Sequence, residues 1–396
     1  MRAYRFRIYP NQEQEKALEN TLTTCRHLYN SALEERITAY KESGKSLSYV
    51  EQANALSANK NEWQKQVHSQ VLQDTLKRLD KSFRRFFDAL KTKKRCGFPR
   101  FKPMQRYHSF CYPQSGFKLT DNHKHITLSK IGKVKVRCHR EIEGNVKTCA
   151  LVKDIDEWFV VLTVKNTLGS VSVSQPDSVI GIDVGISAFA TLSNGESIPN
   201  PRHLKRSEKQ LSKLQRHLSR KKKGSNNRNK QRLRVAKCHR AIKRQRNDFL
   251  HKVSYQLATT HGTIVFEKLN IKGMMRNHKL AKHIADASWN RLIEFTTYKA
   301  ESAGGVVQTV NPKGTSQICS KCGCIVKKGL SVRVHDCPHC GVVLDRDHNA
   351  ALNIKDLAVG IADNQNACGR LVRLPSTSVG EAGAVESGSP IPLWVG

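Results

Sequence analysis

Two short turns, Cys319-Ser-Lys-Cys322 and Cys337-Pro-His-Cys340, each followed by glycine, lie 14 residues apart in the last third of the chain. The segment that holds them is polar and too short to bury a core of its own, so what the thiolates bind must hold it together. Two tight turns, each presenting two thiolates, make the ligand set of one tetrahedral Zn²⁺ site, closed to water and therefore structural. Buried reduced cysteines would not repeat the same turn. Cys324, His335 and His339 are spare donors nearby, read as neighbours of the site. The other cysteines of the twelve show no pairing pattern, and the first residues alternate charged with apolar groups unlike an export signal, so reduced thiols and a cytoplasmic chain are expected.

Charge sets the second constraint. Lys and Arg number 68 against 33 Asp and Glu, a formal +35, and a compact state carrying that much like charge repels itself unless a counter-anion is bound. The expected partner is a polyanion. No apolar run approaches the ~18 residues of a membrane span, so neither a membrane nor a small-molecule partner is expected. Residues 202–246 concentrate the excess, with 19 Lys or Arg and the single acid Glu208. Leucines 204, 211, 214 and 218, then Val235, Ile242, Phe249, Val253 and Leu257, keep helical spacing through it, so the spacing predicts a basic helical hairpin over 202–258, turning at Gly224. The Gly-, Ser- and Pro-rich residues 361–396 are expected to be disordered.

Elsewhere the pattern divides the chain. Tyr4, Phe6 and Ile8 alternate as a strand. Leu18 to Leu33 and then Val71, Leu72, Leu76, Leu79, Phe83, Phe86, Phe87 and Leu90 form helical stripes, and short strands follow at 117–120, 125–128, 133–137 and 157–165. This predicts a β-domain from 1–10 and 96–173 with 11–95 as a helical insertion. An α/β domain is expected over 174–310 and 346–360, around the metal ribbon at 311–345, with 174–176 as linker, strands at 179–184, 188–192, 263–267 and 306–310, and a helix near 286–302.

Three acids stand out by position. Asp183 ends an apolar strand, with Gly185 leaving room for a close approach; Glu267 ends another; and Asp347 falls where the ribbon gives way to a helix, beside Asp345 and Asn349. Any one of these acids alone could be a turn or a helix cap, Asp345 and Asp347 in particular. Together in so basic a chain they can converge at one sheet edge, hold two Mg²⁺ ions and act on phosphodiesters.

Gly181-Ile-Asp-Val-Gly185, Val265-Phe-Glu-Lys-Leu-Asn270, the paired cysteine turns and Asp345-Arg-Asp-His-Asn-Ala-Ala351 occur in the order seen in the TnpB family of transposon-encoded, RNA-guided DNA endonucleases, relatives of the type V CRISPR effectors. Gly97-Phe-Pro-Arg-Phe-Lys102, Arg246-Asn-Asp-Phe-Leu-His-Lys252 and Asp286-Ala-Ser-Trp289 also resemble that family, over about residues 1–358. The resemblance implies a multidomain α/β protein: a wedge-like β-barrel, a helical recognition insertion and an RNase H-like (RuvC) nuclease domain with an inserted zinc ribbon. It implies Asp183, Glu267 and Asp347 as catalytic acids, with Asp345 the less favoured of its pair and Arg346 touching substrate phosphate. It also implies a guide RNA from the same element and double-stranded target DNA beside a short protein-read motif, with the protein on the nucleoid when bound to target.

Arg232, Arg234, Arg240 and Arg244 are the expected phosphate contacts in the hairpin, and the resemblance nominates Tyr49 and Gln73 of the helical insertion as motif readers. Two other readings use the same features: a catalytically silent, guide-dependent regulator, and a transposase joining DNA ends directly.

Overall fold

The structure is a computed structural model and describes residues 1–120, 122–165, 172–329 and 331–359; the tail expected to be disordered lies outside them. The described residues divide into two compact units, one over residues 1–165 and one over residues 172–359.

In the first unit, β1 (Arg2–Tyr9) buries Tyr4, Phe6 and Ile8 and leaves its arginines outside, as period-two alternation dictates. Four helices follow: α1 (Gln12–Ser43), α2 (Tyr49–Ala58), α3 (Glu62–Lys65) and α4 (Ser69–Lys91). Asn11 starts α1 with a reciprocal capping box to Gln14, and Ser48 starts α2 in the same way with Glu51, which satisfies amide groups the first turn would otherwise orphan.

The chain then forms β2 (Ser109–Tyr112), β3 (Phe117–Leu119), β4 (His125–Leu128), β5 (Gly132–Arg137), β6 (Asn145–Asp154) and β7 (Glu157–Lys165). The resulting antiparallel sheet has the order β2-β6-β7-β1-β5-β4-β3. The first strand therefore sits mid-sheet, and the helices are an excursion between it and its partners. One apolar cluster joins that sheet to Leu18, Cys25 and Leu33 of α1 and Leu72, Leu76 and Leu79 of α4.

Sequence reading missed β2 and β6. It also extended the α4 stripe too far, since Phe87 and Leu90 are exposed.

The second unit opens with β8 (Gln175–Val184), β9 (Ala188–Leu192) and β10 (Ser197–Pro199). It continues through α5 (His203–Ser219), α6 (Asn226–Thr260), β11 (His261–Glu267), α7 (Ile271–Met274), α8 (His278–Ala287), α9 (Trp289–Ala303) and β12 (Val306–Val310). It ends with the hairpin β13 (Val334–Asp336) and β14 (Val343–Asp345), followed by α10 (Arg346–Val359). The main sheet runs β10-β9-β8-β11-β12. Its first three strands form an antiparallel meander, and β11 and β12 add in parallel to β8.

Two sequence expectations change here. Gln175 and Pro176 are the start of β8, paired with β11 at His261, where composition had suggested a linker. The helix expected near 286–302 forms as α9, but a separate helix, α8, which the sequence reading did not predict, runs up to it: Ser288 adopts a left-handed conformation with φ 56° that ends α8 and starts α9.

Side-chain alternation divides the work of this sheet between its faces. Ile180, Ile182 and Val184 of β8, with Ile264 and Phe266 of β11, pack against Leu250, Val253 and Leu257 of α6 and Trp289 and Leu292 of α9. Each of these large side chains contributes roughly 1.5–3 kcal/mol on leaving water. The residues between them, Gly181 and Asp183 on β8 and Val265 and Glu267 on β11, face the other way, toward α10.

Candidate nuclease site and cysteine ribbon

Gly181 explains how close α10 comes. A Cβ built there would lie 2.2 Å from the Ala351 carbonyl oxygen and 2.6 Å from the Lys355 nitrogen, so only glycine lets helix backbone rest on strand backbone. The register pairs Val265 with Gly181 and Phe266 with Ile182, which carries Glu267 to the level of Asp183 on the next strand. Asp347, one turn before Ala351 on the helix, comes down onto the same end of the sheet.

The electrostatics record this convergence. Burial pushes the Asp183 carboxyl well above the usual carboxylate range, and the charges of Glu267 and Asp347 push it further, with Arg346 opposing them. Asp183 itself is only half-buried by exposure; the packing immediately around its carboxyl accounts for the desolvation. Glu267 is also raised, mainly by burial, against a lowering hydrogen bond from Thr315. Asp347 is raised by burial and then by Asp345, with Arg333 and Arg346 pulling it back. A group of carboxylates that resist ionising together is the environment a divalent cation relieves.

Asp345 has a different job. Its Oδ1 accepts the backbone N–H groups of Asp347 at 2.8 Å and His348 at 3.1 Å, so it caps α10 and leaves Asp347 as the acid facing the sheet. Arg346 also turns out to be engaged: its guanidinium donates to the carbonyls of Gly329 and Val332 and to Ser316 Oγ. The cation that sequence reading missed is Arg333, 3.6 Å from Asp347 Oδ1 and more than half exposed. Nothing in its local sequence marks it, because the contact depends on the ribbon folding back onto α10.

In the ribbon, two knuckles repeat one hydrogen-bond pattern. Gly323 N–H donates to Cys319 O and Gly341 N–H to Cys337 O, both at 2.9 Å, while Cys319 and Cys337 donate to Cys324 and Val342. Gly323 and Gly341 take φ of 73° and 66°, which is why glycine follows each pair.

The four sulfurs lie within 4.8 Å of one another, with Cys319–Cys340 and Cys322–Cys337 both at 3.6 Å. A tetrahedral Zn²⁺ with bonds of about 2.3 Å requires sulfurs about 3.8 Å apart, so the set fits that ion. Burial pushes the Cys319 and Cys322 thiols up to about 12. At Cys337 burial is outweighed by the backbone N–H groups of Cys340 and His339, which hold it at about 7. Among the described residues this is the one group of three or more donors that close; the three acids, though coupled, do not approach so tightly.

The basic hairpin forms as an antiparallel pair, with Gln231 Nε2 donating to Leu214 O and Arg228 Nη1 to Leu218 O. Arg232, Arg234 and Arg244 are exposed and Arg240 is half-buried. Arg246 and Asp286, from two motifs far apart in sequence, meet at 2.8 Å, and Asp286 also accepts the Leu204 N–H at the start of α5. In the first unit, Tyr49 and Gln73 are both half-buried on the adjacent helices α2 and α4, with Lys77 Nζ 5.7 Å above the Tyr49 ring.

A 3-2-1-4-5 mixed sheet with acids on its two central parallel strands, and a third acid delivered by a helix after a four-cysteine ribbon, defines the RuvC-like, RNase H-type fold. Family models agree: a "probable transposase" model, OrfB_IS605, matches residues 159–278, and a Cas12f1-like TNB domain matches 289–354. A helix-turn-helix model matches 1–45, although that segment here holds β1 and the one long helix α1.

A protein of Streptomyces pristinaespiralis, provisionally named an RNA-guided DNA endonuclease, is 36% identical over 94% of this chain and 92% of its own. InsQ of Escherichia coli K12, with the same provisional description, is 32% identical over 94% and 95%. A cryo-EM structure titled as a Cas12f1–sgRNA–target DNA complex shares the fold at a TM-score of 0.57 and 15% identity, covering 87% of this chain and 83% of that one. The chain belongs to the TnpB family.

Proposed function

We propose that this protein is an RNA-guided, Mg²⁺-dependent DNA endonuclease of a transposable element, cleaving target DNA beside a short motif it reads itself, with one active site. The observation that carries the reading is the convergence of Asp183, Glu267 and Asp347 on one sheet end of a chain with formal charge +35. The two relatives named as RNA-guided DNA endonucleases support it.

Asp183, Glu267 and Asp347 would hold the divalent ions, which when bound activate the attacking water and stabilise the leaving oxygen. Asp345 keeps the end of α10 in place. Arg333 supplies an exposed cation at the acid cluster, suited to a phosphodiester. The exposed arginines of the hairpin offer sequence-blind contacts to RNA or DNA phosphates, Tyr49 and Gln73 remain the nominated motif readers, and the four cysteines hold one structural Zn²⁺.

The test is to purify the protein from cells expressing its native locus, sequence the RNA that accompanies it, and challenge the complex with a randomised plasmid library and Mg²⁺. Guided breaks lost in Asp183→Ala and Glu267→Ala, with target binding kept, support the assignment. Target occupancy with no breaks from the unsubstituted complex means a silent regulator, and joined transposon ends mean a transposase.

A further inference from the structure

The strap between β12 and the first cysteine carries an arrangement that closing a metal knuckle does not require. Thr315, 4% exposed, donates its hydroxyl to Glu267 Oε1 across a bond at the short limit for oxygen pairs. The other acceptor in reach, the Pro312 carbonyl, is at 3.2 Å. A hydroxyl has one proton to give, so the carboxylate takes it.

The same strap is gripped from α10, the helix that carries Asp347. Asn353 Nδ2 donates to the carbonyls of Thr315 and Ile318, each at 2.7 Å. Asn349, fully buried one turn earlier, donates to Ile318 O at 2.8 Å and accepts the Ser320 N–H at 3.0 Å. Residues four apart share a helix face, so the two amides clamp the strap at both ends, and Cys319 begins the knuckle directly inside the clamp.

Resting on the reading of Glu267 and Asp347 as metal-holding acids, we infer that Thr315, Asn349 and Asn353 are positioning residues that make the Glu267 carboxylate depend on the state of the four-cysteine centre. The path is continuous in covalent and hydrogen bonds. It runs from the Cys319 turn of the four-cysteine centre through the strap backbone to the Thr315 hydroxyl, and from there to the carboxylate on β11. A carboxylate has free rotation about its last bond, and one fixed donor removes that freedom before the cation arrives. Outer hydrogen-bond partners of metal ligands change metal affinity by about 10–100-fold when removed, so the relay should be read out as metal affinity.

Thr315→Val keeps volume and branching but removes the donor, while Thr315→Ser keeps the donor. With the RNA-loaded complex, Mn²⁺ binding measured by electron paramagnetic resonance and the Mg²⁺ concentration for half-maximal cleavage give two independent readouts. Thr315→Val is expected to weaken both by about tenfold, with the melting temperature and target affinity near those of the parent, and Thr315→Ser is expected to restore both. Cys340→Ser should weaken Mn²⁺ binding to a similar degree, and the Thr315→Val, Cys340→Ser pair should be no worse than the cysteine change alone, because both act on one path. Parental Mn²⁺ affinity in Thr315→Val would overturn the role of Thr315. Additive losses in the pair would overturn the link to the cysteine centre. Full cleavage by Glu267→Gln would instead overturn the active-site reading beneath the proposal, so the two failures are distinct.

Discussion

At the scale of single residues, the three acids are held in a state that opposes their own charge. All three carboxyls titrate above their ordinary range, burial being the leading cause in each. A raised acid contributes stability that is complete below the unfolded value, about pH 4, and is lost as pH rises toward the folded value. At neutral pH without divalent ions the cluster therefore works against the fold. Asp183→Asn should raise the melting temperature of metal-free protein at pH 7.5, by about 2–4 °C for each kcal/mol relieved, while abolishing cleavage. Thermal scans should show that gain shrinking when Mg²⁺ is added and vanishing near pH 4; a gain equal at both pH values would mean charge repulsion is not its source. The acid at each strand end was legible in sequence because an ionisable group closing an apolar strand is unusual. The resemblance already favoured Asp347 over Asp345, and the backbone amides of the α10 first turn pointing at Asp345 give the physical reason.

At the scale of elements, the seat of α10 on β8 sets the geometry of the site. Gly181→Ala forces a Cβ into the space of the Ala351 carbonyl, and overpacking of this kind costs about 1–3 kcal/mol. Displacing α10 moves Asp347 away from Asp183 and Glu267, and misplacements near 1 Å can lower a rate by about 100-fold. Cleavage should therefore fall far more than stability, which parallel rate and melting measurements will show; equal fractional losses would place the helix contact outside the site. The ribbon makes the complementary prediction: Cys322→Ser and Cys340→Ser should each lose the bound metal, seen by elemental analysis, and lower the melting temperature of the second unit. Stoichiometric zinc in both variants would refute the ligand set. The ribbon was readable in advance because both knuckles are local, each closed within a few residues. The break at Ser288 and the strand at 175–178 were not, because a left-handed serine and a strand proline are tolerated only through their tertiary neighbours.

At the scale of the whole molecule, charge is the governing quantity. The hairpin of α5 and α6 presents Arg232, Arg234 and Arg244 outward, and no helix among the described residues is long and apolar enough to cross a membrane. If these three and Arg240 each neutralise one phosphate, replacing the four with glutamate should weaken RNA binding. It should also flatten the slope of log affinity against log salt by at least about 3. Titrations of RNA at several salt concentrations measure this directly; an unchanged slope would place the four side chains against solvent or other protein groups.

What the sequence determined by itself was whatever depends on spacing along the chain: the paired cysteine turns, the basic helical hairpin, the apolar strands and the acids that end them. Local geometry follows from local order, so periodicity and turn chemistry are enough to read these features. The structure decided which acid caps and which faces the sheet, and that Arg333 reaches Asp347. It also joined Arg246 to Asp286 and brought Thr315 under Glu267. The last two pairings close across 40 and 48 residues, and nothing within one stretch of chain specifies where a distant stretch will come to rest.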